Sequence, residues 1–435
     1  MAPSSTPVLA NAQPPAWAHL AYGLLGFPLA FVALPLYVHL PPHLAGTLGW
    51  SLAATGGVLL AVRVFDALID PALGRWSDRL LARSPRHLLV AAGVAAVAVV
   101  LGLAALFTPG WSAPAAVVVL ALLLAGCANS LLTIAHQAWG AALAKTDAQR
   151  SHLFAWREGA GLAGVLVASA LPAWLGWDWT LAVLAFAMAT GWLAWCRAQR
   201  PMAVAAAQAV DSAHSPWRNA SFRRLMGVFV LNGVAGAIPA TLVVLYMTDR
   251  LGANPNWQAG LLATYFASAA LGLPVWLRAV RAWGLAPAWL VGMVLAVLAF
   301  ATAAWLGHGE VWGFAVVCAL SGLTLGADLA LPSALLAQVL DRSPSAQAHR
   351  GLYFGWWALA AKLNLALAAG LALPLLQLWG YQPGTAQPNG LAALAWAYSG
   401  WPCVLKLAAA TWLYAGFIRH APHHTPLPTP SQANP

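Results

Sequence analysis

The sequence predicts an all-α integral membrane protein, with twelve transmembrane helices in two pseudo-symmetric halves of six. Three observations carry that prediction. Of the 435 residues, 61% are hydrophobic and only 7% charged, whereas a soluble domain holds about a quarter charged residues. The apolar runs are long and unbroken, unlike the short alternating segments of a barrel, and a helix satisfies its own backbone in lipid. The basic residues gather in alternate short loops, as the positive-inside rule requires of a chain that crosses repeatedly.

Taken in order, the apolar runs place spans at 18–40, 49–72, 88–107, 114–138, 152–175 and 179–197, and then at 223–248, 257–279, 286–306, 311–340, 350–378 and 391–418. About 20 apolar residues suffice for each crossing. The polar interval 198–222 divides the two sets, so 18–197 is read as an N-terminal bundle and 223–418 as a C-terminal one. The interval between them is a cytoplasmic loop, and 1–17 and the Pro-rich 419–435 are disordered tails. Two such halves around a midplane site are the usual plan of secondary transporters.

Arg75, Arg79, Arg83 and Arg86 follow span two; Lys145, Arg150 and Arg157 follow span four; Arg342 and Arg350 follow span ten. The opposite loops hold little beyond Arg250. This pattern puts both termini in the cytoplasm of a bacterial-type inner membrane, and it explains the net charge of +10 without nucleic acid. The four cysteines lie far apart, with no CxxC or His/Cys pairing, so the sequence supports neither a disulfide framework nor a metal site. No HExxH or GxSxG pattern suggests an enzyme.

Span two carries the most chemistry. Within SLAATGGVLLAVRVFDALIDPALG stand Arg63, Asp66 and Asp70, at i, i+3, i+7 spacing on one helix face. Each charge costs roughly 2.5–3.5 kcal/mol to insert, so that face must meet a polar cavity. A bland alternative is a helix-fastening salt bridge, but one arginine cannot neutralise two carboxylates. Span eleven adds a central Lys362, expected to pair with a carboxylate of span two or ten. Asp328 in span ten is expected either to partner Lys362 or to cap a broken helix. Thr133, His136 and Gln137 share a face of span four.

These residues carry a family resemblance. VRVFDALIDPALGRWSDR, QRSHLFAWREGAGLAG, ADLALPSALLAQVLD and HRGLYFGWWALAAKLNLALAAG, in this order, resemble segments of helices two, five, ten and eleven of the glycoside–pentoside–hexuronide:cation symporters. That is the melibiose permease-like family of the major facilitator superfamily. The resemblance implies cation coupling at Asp66, Asp70, Thr133 and Lys362, with Arg63 beside them. It implies a substrate contact at Arg157. The residue pattern itself adds His136, Gln137, Trp139, Asp328, Trp357 and Asn364 as substrate candidates. Gly74, Asp78, Arg79 and Arg83 lie in a stretch similar to a loop motif general to the superfamily, expected to latch the halves together. Departures matter too. His136 and Ala30 stand where that family has sugar-binding aspartates, and Ile69 stands where it commonly has a sodium-binding asparagine. A hard cation wants several oxygen ligands, so the coupling ion expected is H+ rather than Na+, with no other cofactor. The expected partners are a sugar-like small solute, the cation and the lipid bilayer, with the carrier monomeric. The alternatives are a carrier of a more apolar solute or lipid, and a non-transporting receptor on the same fold.

Overall fold

The computed structural model describes residues 16–46, 50–108, 114–201, 214–384 and 387–419. Most of both expected tails and about half of the central loop lie outside the described residues. Among the described residues the secondary structure is helical throughout, with no strand. We label the long helices α1 (His19–Leu44), α2 (Leu52–Arg83), α3 (Pro85–Phe107), α4 (Ala115–Leu143), α5 (147–175) and α6 (177–197). The second half supplies α7 (Ala220–Arg250), α8 (Pro255–Trp283), α9 (Leu285–Trp305), α10 (Val311–Asp341), α11 (Arg350–Leu378) and α12 (Pro388–Ile418).

Local chemistry sets the boundaries. Ser51 caps α2 by accepting from the Ala54 N–H, and Asn219 and Asn254 do the same for α7 and α8. Ser84 ends α2 and begins α3, accepting from the Arg86 N–H with Pro85 in the first turn. Thr146 and Gln149 form a capping box at the start of α5. Gly176, at φ 78°, is the single non-helical residue between α5 and α6. Gly284, at φ 86°, separates α8 from α9. These are left-handed positions where a side chain would be strained.

Several helices outrun their expected spans. The membrane-sized run 49–72 extends to Arg83, because nothing in GRWSDRLLAR breaks a helix before Ser84-Pro85. The loop motif is therefore a rigid helical extension. Span five starts at Asp147, about a turn earlier than expected, on the strength of its capping box. Among the described residues, ten helices are long and apolar enough to cross a membrane. The two that fall short of that apolarity, α2 and α5, are the carriers of Asp66, Asp70, Arg157 and Glu158.

The core shows how the halves meet. One buried cluster belongs to the N-terminal half alone, with Phe31, Leu103, Leu122 and Leu184 among its members. A second joins Ile134, Ala138, Phe154 and Ala155 of the N-terminal half to Trp289, Leu335 and Phe354 of the C-terminal half. A third, around Tyr246, Phe314 and Tyr398, holds only C-terminal residues. The fused cluster sits at the end where α1 begins and α12 ends, here termed the base. At the other end, the mouth, the halves keep separate cores.

Glycines mark the same asymmetry. A methyl group on Gly74 would strike the carbonyl of Gly351, and one on Gly355 would strike the backbone at Asp70 and Pro71. Near the mouth, Gly56, Gly57, Gly236 and Gly370 have open space beside them. On α11, residues 351–355 are all buried, whereas Leu363, Leu367 and Leu371 are exposed. The protein is closed at the base and open at the mouth. At the mouth of the C-terminal half, the Tyr381 hydroxyl and the Gly384 N–H both donate to Asp249. Burial and that carboxylate push the Tyr381 phenol above its ordinary range, which keeps it a donor.

Candidate substrate and cation site

Where α2 and α11 cross, three charges meet. The Lys362 ammonium lies 2.8 Å from Asp66 Oδ2 and 2.8 Å from Asp70 Oδ2. It also donates to Asp70 Oδ1 at 2.9 Å and to Ser130 Oγ at 2.7 Å. Ser130 in turn donates to Asp66 Oδ1 at 2.9 Å. Asp70 is fully buried, Asp66 nearly so, while the Lys362 side chain keeps 28% exposure. One ammonium therefore faces two carboxylates, and the cluster carries a formal charge of −1. Gly126 of α4 faces the Asp66 carboxylate, where a methyl would sit in ordinary contact, 3.4 Å from its oxygen.

The structure brings Asp66, Asp70 and Lys362 together, and adds Ser130. Arg63 goes elsewhere, its guanidinium 4.1 Å from the centre of the Tyr37 ring on α1. Lys362, expected to pair with a carboxylate of span two or ten, meets both acids of span two. Arg63 and Tyr37 instead stand at a small pocket between α1, α2 and α4, with Asp66 and Gly126 in its lining. Thr133 lies one turn beyond Ser130, half-buried. Ser130 was legible as a polar residue at i−3 from Thr133, on the same helix face.

The expected substrate residues scatter. His136 is fully buried. Its ring stacks on Tyr22 at 4.1 Å, its Nε2–H donates to the Tyr22 carbonyl at 2.9 Å, and the Tyr22 hydroxyl donates to the His136 carbonyl at 2.9 Å. It staples α1 to α4 and does not face the cleft. Trp139 is likewise fully buried, edge-on to Trp195, and donates to the Gln199 carbonyl at 3.1 Å. In this conformation both are sealed from a solute, where the sequence led to the expectation of substrate contacts. Gln137 beside them is buried too. Arg157 is ion-paired to Glu158 and almost buried. Trp357 stacks on Phe229 at 3.6 Å, and Asn364 lies against Gly233 of α7.

Asp328 has a partner that sequence reasoning missed. Its Oδ2 pairs at 2.7 Å with Lys406 of α12, not with Lys362. The Asn232 amide and the Trp289 indole donate to its Oδ1 at 3.0 Å and 2.9 Å. Lys406 shows the same sequence signal as Lys362, a lone lysine in an apolar span.

At the base, several contacts hold the halves together. The Asp78 carboxylate accepts from the Gly351 and Leu352 N–H groups at 2.6 Å and 2.8 Å, capping the first turn of α11. Gly74 provides the close approach one turn away. Arg79 and Arg83 are exposed on the same extension. Beside them, Asp341 ion-pairs with both Arg150 and Arg350, and Gln338 donates to Asp147 at 2.7 Å and 2.8 Å. The Asp147/Arg150 and Asp341/Arg350 pairs occupy equivalent helix junctions of the two halves.

The sequence matches the MFS/sugar transport protein family over residues 19–418. The chain belongs to that family. This transporter has a major facilitator fold, is embedded in a membrane, moves a small molecule and is not an enzyme. Among solved structures it is similar to a bacterial homologue of the iron transporter ferroportin in an outward-facing state. That likeness has a TM-score of 0.69 at 14% identity, covering 92% of this chain and 99% of the other. It is similar to a variant of the E. coli fucose:proton symporter, FucP, with TM-score 0.67 at 13% identity over 92% and 98%. It is also similar to the human organic anion transporter MFSD10, with TM-score 0.63 at 18% identity over 92% and 100%. At such identities these likenesses speak for the fold alone. No curated protein matches the chain by sequence.

Proposed function

We propose that this transporter is a proton-coupled symporter of a sugar or related polar solute, working by alternating access across twelve spans. The observation that carries the reading is the Asp66–Asp70–Lys362 cluster at the seam of the two halves. With two carboxylates and one ammonium, it has room for one further positive charge. A carboxylate that takes up a proton releases its share of Lys362, which loosens the α2–α11 crossing. A cation that binds one access state better than the other shifts the equilibrium by that difference, and this is all that coupling requires.

The ammonium already occupies the position between the two acids that a metal ion would need. Ile69, beside Asp70, offers no oxygen. Both features favour H+ over Na+. The basic residues of the base favour a cytoplasmic position for that end and for both termini, in an inner-membrane setting. On this reading the closed base and open mouth make the conformation outward-facing.

The test is uptake into proteoliposomes of purified protein. A panel of neutral sugars is offered under an imposed pH gradient, then under an imposed sodium gradient at equal pH. The expected result is accumulation of one solute class under the pH gradient alone. Accumulation under sodium alone sinks proton coupling, and passage at equal rates without any gradient sinks symport.

A further inference from the structure

The charged group at the heart of the C-terminal half has no part in the coupling cluster. Lys406 is buried inside α12, and its ammonium donates to Asp328 Oδ2 and to Asn232 Oδ1, each at 2.7 Å. Asn232 and Trp289 complete the set by donating to Asp328 Oδ1. Four helices, α7, α9, α10 and α12, thus converge on one carboxylate near the middle of α10. A buried ion pair is weak evidence for stability, because well-packed apolar residues of like volume often do as well or better.

A carboxylate has about four lone-pair positions for donors. Three are taken at Asp328, two on Oδ1 and one on Oδ2. One position on Oδ2 remains, and the side chain keeps 21% exposure. The helix turn shows where that exposed edge faces. Leu325, Asp328 and Leu329, all part-exposed, lie on the face of α10 opposite the exposed apolar stripe of Val316, Leu320 and Leu323. The stripe suits lipid, and a carboxylate does not. The free edge of Asp328 therefore looks into the cleft between the halves.

We propose that Asp328 is the substrate contact of the C-terminal half, accepting a hydrogen bond from one hydroxyl of a neutral polyhydroxylated solute. This rests on the symport reading above. The set has no net charge, because Lys406 already neutralises Asp328, so it offers a charged solute no full ion pair. A neutral hydroxyl gains a charge-assisted hydrogen bond, roughly twice as strong as a neutral one. Asn232, Trp289 and Lys406 are positioning residues that hold the carboxylate in place for it. An apolar solute would gain nothing from this device.

The experiment measures equilibrium binding of neutral hexosides and their monodeoxy analogues to the purified full-length protein, by calorimetry. In the wild type, one deoxy position should weaken binding about tenfold, about 1.4 kcal/mol. In Asp328→Ala/Lys406→Met, which removes both charges together, that parent-to-deoxy ratio should fall to near one. In Asp328→Asn, which keeps an acceptor without the charge, it should lie between. The other deoxy positions should keep their ratios in all three proteins. Hexosides that bind the wild type, with every ratio unchanged in both variants, overturn the Asp328 contact and leave the symport reading standing. No hexoside binding to the wild type overturns both.

Discussion

Lys362 is one ammonium shared by two acids, and its removal leaves two carboxylates without a cation in the membrane interior. Breaking a buried pair by deleting one partner costs about 3–5 kcal/mol. Lys362→Met should therefore lower the thermal midpoint more than Asp66→Asn or Asp70→Asn, since each of those leaves one acid paired. For transport the ranking differs. Asp66→Asn and Asp70→Asn should each abolish accumulation against a gradient in the proteoliposome assay; full accumulation by both would remove the coupling role. At His136 the expectation is structural. His136→Ala removes the donor to Tyr22 and the stacked ring, so the midpoint should fall while any protein that folds binds solute with unchanged affinity. A loss of affinity at unchanged midpoint would return His136 to the binding site. Sequence spacing put His136 on the same face as Thr133 and Gln137 well enough. It could not tell that α1 covers part of that face.

The α2–α11 crossing depends on the absence of side chains at the element scale. Gly74 meets the Gly351 carbonyl and Gly355 meets the backbone at Asp70 and Pro71, so two helices touch backbone to backbone at the base. Gly74→Val should force these helices apart. The expected outcome is loss of uptake, with a cysteine introduced at Leu352 becoming accessible to a membrane-impermeant thiol reagent from the base; the same cysteine with Gly74 intact should stay protected. Gly176 has a different role, since its φ of 78° is what separates α5 from α6. The apolar runs place that break between 175 and 179, where the structure has it, because Gly and the polar Asp178 interrupt the hydropathy. They end span two at 72, because hydropathy reports where lipid stops and not where the helix does.

For the whole molecule, alternating access requires the base contacts to break and reform. Asp341 with Arg150 and Arg350, and Asp78 with the first turn of α11, join the halves only at the closed end. Arg150→Glu puts like charges opposite Asp341 and should slow accumulation several-fold, by opening the base. Asp341→Arg added to it restores the attraction to residue 150 but repels Arg350, so recovery should be partial. Full recovery, or no effect of Arg150→Glu, would show that this network does not set the conformational balance. The loop motif reads as a latch in the sequence, and Asp78 makes the contact. Its partner is the backbone of a helix start, which no residue pattern displays.

Composition and the periodicity along each helix were enough to establish a bundle of membrane helices with ionisable groups held in its interior. Both properties can be read one segment at a time. The pairing of those groups emerged with the folded bundle alone: Lys362 between Asp66 and Asp70, Lys406 on Asp328, Arg63 over Tyr37, and His136 sealed behind Tyr22. A 3.6-residue period says which side chains share a face. The neighbour that face meets depends on how helices far apart in the chain cross, and in a membrane bundle those crossings are set by small residues and close backbone contact.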